Sequence, residues 1–132
     1  MTSHLVCDAS AIVALLLDSG PDGQWSASVL TGTSLAAPTL LAFEAANIIR
    51  RHKAAHLITV DQAAQAHADL VALGIEQWPY EVLATRIWEL RQNLTSYDAG
   101  YVALAEFLRV PLVTLDRRIG RAPGVRCTII TP

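Results

Sequence analysis

Short apolar runs alternate along the chain with longer stretches in which apolar residues recur at helical spacing. The runs predict strands at residues 4–7, 34–37, 75–78, 112–115 and 126–130. The stretches between them predict helices that end near Asp18, Leu30, Ala55, Leu73, Asn93 and Arg109. Alternation at this density is typical of an α/β fold in which helices cover a mostly parallel sheet, here of four to five strands.

Local signals predict where the helices begin and end. The segment SGPDG at 19–23 ends the first helix, and Pro21 begins the second. Gly74 ends the fourth helix, and Pro79 closes the strand that follows it. The predicted helix N-caps are Asp8, Thr39, Thr59 (in a capping box with Gln62), and Thr95 or Ser96.

Four acidic residues stand where an apolar segment begins or ends, or are embedded in one. They are Asp8, Glu44, Asp98 and Asp116. Asp8 and Asp116 follow predicted strands, and the carboxyl ends of parallel strands form the edge where ligands bind in such sheets. Asp98 in a first helical turn and Glu44 in mid-helix would approach from the covering layer. Because burying several carboxylates is costly without a cation, and an all-oxygen site suits Mg²⁺ or Mn²⁺, the pattern predicts metal-dependent phosphoryl chemistry.

Each acid also has a purely structural interpretation. Asp8 is suited to capping a helix, and Asp98 in a first turn complements the helix dipole. Asp116 precedes Arg117 and Arg118 and fits a turn with ion pairs. Glu44 fits an exposed helical position, although its neighbours leave little polar face around it. The coincidence of all four favours a site.

Composition and charge narrow the function classes further. With 132 residues, 52% of them hydrophobic, the chain can fill one core, and we expect a single domain over 1–132. A formal net charge of −2 argues against nucleic-acid binding by net charge alone, although seven arginines against four acids from Arg86 onward leave room for a local basic surface. Without a basic leader or a membrane-length apolar run, we expect a cytoplasmic protein. Cys7 and Cys127 have no metal-ligand spacing and are expected to be buried thiols.

Weaker signals surround the four acids. Ser10 and Thr114 are candidates to hydrogen-bond the carboxylates from behind, with a helix-start serine and an ordinary strand threonine as the alternatives. His52 and His56 lie four apart, but no glutamate follows His52 as a zinc protease requires. The chain has no Gly-rich phosphate loop, and its tryptophans suggest packing against a core or a partner rather than base stacking.

The chain resembles the PIN-domain ribonucleases, and especially the VapC-type toxins of bacterial toxin–antitoxin pairs. The resemblance lies in VCDASAIVALLL (6–17), PTLLAFEAANIIRRH (38–52) and TSYDAGYVALAEFLRVPLVTLDRR (95–118). It implies a PIN-like three-layer fold whose metal-binding acids fall on Asp8, Glu44, Asp98 and Asp116, with the family's frequent hydroxyl at Ser10. Some members carry a further acid after the fourth; here Arg118, Ile119 and Gly120 stand there, which puts a complete second metal site in question.

The resemblance implies a Mg²⁺- or Mn²⁺-dependent endoribonuclease in which one or two ions activate a water. The implied partners are an RNA substrate, a small antitoxin placed across the active-site groove, and a second copy in a homodimer. We expect the helix faces around Trp78, Trp88 and Leu90 to be available for packing. Two other functions remain open: a catalytically weak PIN-like binding module and a metal-dependent phosphatase. A phosphatase of the haloacid-dehalogenase type would need an aspartate at position 10, which is serine, and a response-regulator receiver would need an acidic neighbour at Asp8.

Overall fold

Five parallel strands form one sheet in the order β3-β2-β1-β4-β5 in the computed structural model, which describes residues 4–132. The strands are β1 (His4–Cys7), β2 (Ser34–Pro38), β3 (Glu76–Trp78), β4 (Leu112–Val113) and β5 (Ile129–Ile130). The helices are α1 (Ala9–Leu17), α2 (Pro21–Leu30), α3 (Leu40–Ala54), α4 (Val60–Ala72), α5 (Tyr80–Glu89), α6 (Ser96–Leu108) and α7 (Arg117–Arg121). The expected α/β fold with a parallel sheet is confirmed.

Two groups of helices enclose the sheet. Helix α1 packs with α2, α3 and α4, whereas α5 packs with α6, and α6 also contacts β1, β2 and β4. Consecutive residues of the central strands, such as Val6 with Cys7 and Leu112 with Val113, are fully buried. Side chains of successive strand residues point to opposite faces, so β1 and β4 are covered on both sides. Among the described residues, no helix is long and apolar enough to cross a membrane.

Several helix boundaries follow the local signals closely. Asp8 caps α1, and Thr59 and Gln62 form the complete reciprocal capping box of α4. Thr95, rather than Ser96, caps α6 by accepting a hydrogen bond from the Asp98 amide. Gly74 lies directly after the last turn of α4 and has a positive φ of 66°, a conformation that residues with a side chain rarely adopt.

The predicted cap at Thr39 is wrong. Thr39 already has helical dihedral angles, and its side chain makes no capping bond. Its backbone N–H instead donates to the carbonyl of Trp78 at 3.0 Å, so the chain entering α3 is tied to the end of β3. A long-range hydrogen bond to β3, and not a side-chain cap, therefore fixes the chain at the start of α3.

Three predicted elements are shorter in the structure by two or more residues. Helix α5 ends at Glu89 instead of Asn93, because the buried Leu90 is followed by turns whose amides bond back to its carbonyl. Strand β4 stops at Val113, where the chain turns toward the unpredicted helix α7 that Asp116 caps. Strand β5 begins only at Ile129, since the Arg126 amide donates to Glu106 on α6 at 2.8 Å rather than to the sheet.

Both cysteines are free thiols, as the sequence predicts. Cys7 is fully buried on β1, and burial raises the pKa of its thiol to about 12. Cys127 is half-buried, with its pKa raised to about 11, again chiefly by desolvation. Thiols with pKa values this high are protonated at neutral pH and therefore unreactive.

Candidate active site

The order of the sheet brings two of the predicted acids to one edge. Strand β1 pairs with β2 on one side and with β4 on the other, and the chain leaves β1 toward β2 but leaves β4 in the opposite direction, toward β5. Such a switch point opens a crevice at the carboxyl ends of the strands. Asp8 directly follows β1, and Asp116 lies three residues beyond the end of β4. Both therefore stand at that crevice.

Asp8 is the most firmly held of the four carboxylates. Its side chain is buried, and Oδ1 accepts hydrogen bonds from the Ala11 amide at 3.0 Å and from Ser10 Oγ at 2.6 Å. Thr114 Oγ1 donates to the other oxygen, Oδ2, at 2.5 Å. Burial raises the pKa of Asp8, and the hydrogen bonds from Ser10 and Thr114 only partly oppose that rise.

Ser10 and Thr114 also fix the loop that carries Asp116. Ser10 Oγ accepts from the Leu115 amide at 3.1 Å, and Thr114 Oγ1 accepts from the Asp116 amide at 2.9 Å. Each hydroxyl thus donates to the Asp8 carboxylate and accepts from the backbone after β4. The two hydroxyls hold the starts of α1 and of the 114–116 loop at a fixed separation, which is how supporting residues orient the acids of a site.

Glu44 reaches the crevice from α3. It is half-buried, and Tyr101 on α6 donates its hydroxyl to Glu44 Oε1 at 2.6 Å. Desolvation raises the pKa of Glu44, the hydrogen bond from Tyr101 opposes this, and the charges of Asp98 and Asp8 raise it further. Tyr101 is almost fully buried, and its own pKa is raised by burial and by Glu44, so it remains a hydrogen-bond donor.

Asp98 projects from the first turn of α6, which Thr95 caps. Its pKa is raised first by partial burial and then by the neighbouring charges of Asp116 and Asp8, while Arg118 opposes the rise. Asp98 therefore interacts electrostatically with both acids of the sheet edge. If Asp98 only complemented the dipole of α6, its pKa would be lowered. Its pKa is raised instead, which does not fit that purely structural interpretation.

Asp116 differs from the other three because a cation of its own chain neutralises it. Arg118 donates from Nε to Oδ1 at 3.0 Å and from a terminal nitrogen to Oδ2 at 2.9 Å, and the Arg118 amide also donates to Oδ1 at 3.0 Å. The hydrogen bond from Arg118 lowers the pKa of Asp116. The Arg118 side chain is 87% exposed, so the ion pair of Arg118 and Asp116 lies at the rim of the crevice.

The four acids share one electrostatic environment without yet forming a coordination shell. Beside the effect of burial, the charge of Asp116 raises the pKa of Asp8, the charges of Asp98 and Asp8 raise that of Glu44, and the charges of Asp116 and Asp8 raise that of Asp98. Yet no three Asp, Glu, His or Cys side chains within residues 4–132 are arranged to hold an ion as they stand. Asp8, Glu44 and Asp116 each point an oxygen at a protein donor. The donor set itself, carboxylate oxygens alone, is the set that Mg²⁺ and Mn²⁺ prefer.

Sequence reasoning missed one residue that contacts these acids. Tyr101 lies three positions after Asp98, and therefore on a neighbouring part of the same helical surface, which is the signal that could have located it. Arg118 was considered as an ion-pair partner in the structural interpretation of Asp116, and that ion pair is present. Its bidentate geometry depends on side chains two residues apart, which no periodicity reveals.

Comparison with known proteins decides the family. Residues 5–125 match the PIN domain family. The chain belongs to this family. Within it, the chain is 38% identical over 125 residues to Ribonuclease VapC1 of Mycobacterium tuberculosis, with 94% of each chain covered. The resemblance to VapC-type PIN ribonucleases is thereby confirmed, and so is the nuclease class of the activity.

Solved structures share the PIN fold. The structure of Mycobacterium tuberculosis VapC20, described as a sarcin–ricin loop cleaving toxin, superposes with a TM-score of 0.69 at 13% identity over 97% of this chain and 99% of that one. VapBC-5 of the same organism, described as a member of the VapBC family of toxin–antitoxin systems, gives a TM-score of 0.62 at 21% identity over 98% and 99%. At these identities the likeness shows the PIN fold alone.

Proposed function

We propose that this PIN domain is a Mg²⁺- or Mn²⁺-dependent endoribonuclease, that Asp8, Glu44, Asp98 and Asp116 are its metal ligands, and that it acts as the toxin of a VapBC-type pair. The observation that carries the metal site is the placement of Asp8, Glu44 and Asp98 in buried or half-buried positions near one another, where burial first and neighbouring carboxylates second raise their pKa values. Carboxylates held in this way cost stability, and a divalent cation would remove that cost.

The chain's own residues divide the work of such a site. Asp8, fixed by three hydrogen bonds, would provide the rigid ligand, and Tyr101 orients Glu44 through the hydrogen bond that it donates. When bound, a divalent ion lowers the pKa of a water and neutralises charge on the phosphate under attack. Asp116 can serve as a ligand once it exchanges Arg118 for the cation. The guanidinium of Arg118 would then be free at the rim to form an ion pair with a phosphate of the RNA.

The test is cleavage of RNA by the purified protein with added Mg²⁺ or Mn²⁺ and with excess EDTA. We expect cleavage with either ion and none with EDTA, and Asp98→Asn to be inactive while Asp69→Asn, on the exposed side of α4, retains activity. Undiminished cleavage in EDTA would contradict the metal site. Hydrolysis of a phosphate monoester without RNA cleavage would favour the phosphatase, and RNA binding without cleavage would favour the binding module.

The proposed partners are RNA, a small antitoxin and a second copy of the chain. The helix faces around Trp78, Trp88 and Leu90, which the sequence suggested for packing against a partner, expose less apolar surface than expected. Leu90 is buried in the core, and Trp78 is half-buried against Phe107 with the ring centroids 5.5 Å apart. Trp88 is exposed, but Arg91 of the same chain lies over its ring at 4.6 Å. Support for an antitoxin therefore rests on the acidic crevice, which a basic side chain would complement.

A further inference from the structure

Two exposed aromatic side chains immediately precede two of the proposed metal ligands. Phe43, before Glu44 on α3, is 78% exposed, and Tyr97, before Asp98 on α6, is 59% exposed. Both rings line a single open concavity of about 470 Å³, together with Glu44 and Asn47. Two separate helices thus present an aromatic face to one cleft beside the acids.

The cleft also carries polar groups suited to the edge of a base. Asn47 lies one turn beyond Phe43, and Arg50 Nε donates to its Oδ1 at 3.0 Å, which orients the carboxamide. The guanidinium of Arg50 therefore places a positive charge next to Asn47, which lines the cleft. Aromatic faces next to a positive charge that can meet the backbone are the recurring elements of single-strand binding sites.

We propose that Phe43 and Tyr97 form a nucleobase-binding site that takes an unpaired base of the RNA next to the scissile phosphate. The proposal rests on the proposed function, since the acids define where that phosphate lies. Glu44 itself lines the cleft with both rings, so a nucleotide whose phosphate lies at the acids has this cleft beside it. Bases buried in a duplex are not free to stack on side chains, so the site selects unpaired nucleotides of loops, bulges or ends.

Stacking predicts which substitutions are tolerated. Loss of one stacked base costs roughly 5- to 150-fold in affinity, so we expect losses in this range for Phe43→Ala and Tyr97→Ala. Phe43→Trp should retain affinity, whereas Phe43→Leu, which is apolar but has no π face, should not. Trp88→Ala removes an equally exposed aromatic ring from α5 and is the matched control. Because all three side chains are exposed, the variants should fold, which circular dichroism checks.

The binding probe is a short single-stranded RNA of mixed sequence, with one 2-aminopurine placed at successive positions. Every protein carries Asp98→Asn so that the RNA stays intact. We expect the fluorescence of the probe to be quenched most strongly at one position when Phe43 and Tyr97 are present. An abasic nucleotide at that position should weaken binding by the same factor as Phe43→Ala and Tyr97→Ala combined, and adding these substitutions should weaken binding of the abasic probe no further.

The outcomes separate this proposal from the function on which it rests. Equal RNA affinity of Phe43→Ala, Tyr97→Ala and the parent protein would overturn the base site, and so would full affinity in Phe43→Leu. A change confined to oligomer mass or to binding of a protein partner would also overturn it, since the rings would then belong to a protein interface. Metal-dependent cleavage by the wild type in any of these cases would leave the proposed function intact.

Discussion

Arg118 holds both oxygens of Asp116 from only two residues away, so one of the four acids is neutralised by the chain itself. Asp8, Glu44 and Asp98 have raised pKa values, whereas that of Asp116 is lowered. The guanidinium lies at the rim of the crevice, where the carboxylates would attract a metal ion. It must leave Asp116 before Oδ1 and Oδ2 are both free to bind that ion. Arg118 would therefore compete with the proposed metal for Asp116.

Replacing Arg118 should strengthen metal binding. In Arg118→Gln the Asp116 carboxylate loses its bidentate partner, so we expect Mn²⁺ affinity, measured by titration calorimetry, to rise a few-fold. The substitution also removes a positive charge near the acids, and Arg121→Gln on the same short helix α7 controls for that change. Equal gains in both variants would mean that charge alone, and not the specific pair, governs the affinity.

Tyr101→Phe should affect activity more than stability. Loss of the hydroxyl leaves Glu44 without its donor, which we expect to reduce stability by about 1 kcal/mol and cleavage by about 10- to 100-fold. The hydrogen bond lowers the pKa of Glu44, so its removal should shift the acidic limb of the pH–rate profile to higher pH. Tyr80→Phe, at an exposed position, is the control. An unshifted profile would show that Tyr101 only fills space.

Asp98→Asn should abolish cleavage and leave the fold at least as stable. A carboxyl whose pKa is raised on folding stabilises the native state fully below its ordinary pKa, here 3.8, and loses that contribution as the pH rises through the raised value. Wild type and variant should therefore have similar melting temperatures near pH 4, and the wild type should fall behind toward neutral pH. Loss of several kcal/mol in the variant would instead indicate a structural ion pair.

Divalent metal should reverse this deficit. A ligand that binds only the native state stabilises it, by about 2.7 kcal/mol at 100 times its dissociation constant. We expect Mg²⁺ or Mn²⁺ to raise the melting temperature of the wild type, and more at neutral pH than near pH 4, because protonated carboxyls bind metal poorly. Asp98→Asn should respond less. An equal response in both proteins would place the bound ion elsewhere.

The elements and the family could be predicted because their signals are local. Four consecutive residues are enough to define the capping box of Thr59 and Gln62, and also the cap at Asp8. The strand at 4–7 is a simple apolar run. The sheet edge followed from the rule that parallel strands end together. The Thr39 cap was wrong for the converse reason, since its amide is bonded to a residue 39 positions away on β3.

The contacts that organise the candidate site could be predicted only in part. Ser10 and Thr114 were candidates to bond the carboxylates, and both donate to Asp8, Thr114 across 106 residues. The bond from Tyr101 to Glu44, across 57 residues, had no such signal. Such pairs depend on the packing of α1, α3 and α6 around the sheet, which one sequence does not reveal. The exposure of Phe43 was equally invisible, because an apolar helical stretch predicts burial without saying which residues escape it.

The final prediction concerns an antitoxin. The grip of Arg118 on Asp116 demonstrates that carboxylates of this crevice accept a guanidinium in bidentate geometry. Asp98, half-buried among like charges, would gain more from such a partner. We therefore expect a small partner protein to insert an arginine there and displace metal. Expression of the chain alone should arrest bacterial growth, and co-expression of a small neighbouring open reading frame should relieve the arrest.

Matched variants connect that arrest to the site. Asp8→Asn should permit growth without the partner, because the rigid ligand is lost, whereas Asp69→Asn should remain toxic. Replacement of the partner's inserted arginine by glutamine should weaken inhibition without abolishing assembly, since the remaining contacts persist while the competition with metal is lost. In the purified pair, excess Mn²⁺ should partly restore cleavage. Normal growth with abundant, folded wild-type chain would count directly against the toxin, because an active ribonuclease without its inhibitor has nothing to restrain it.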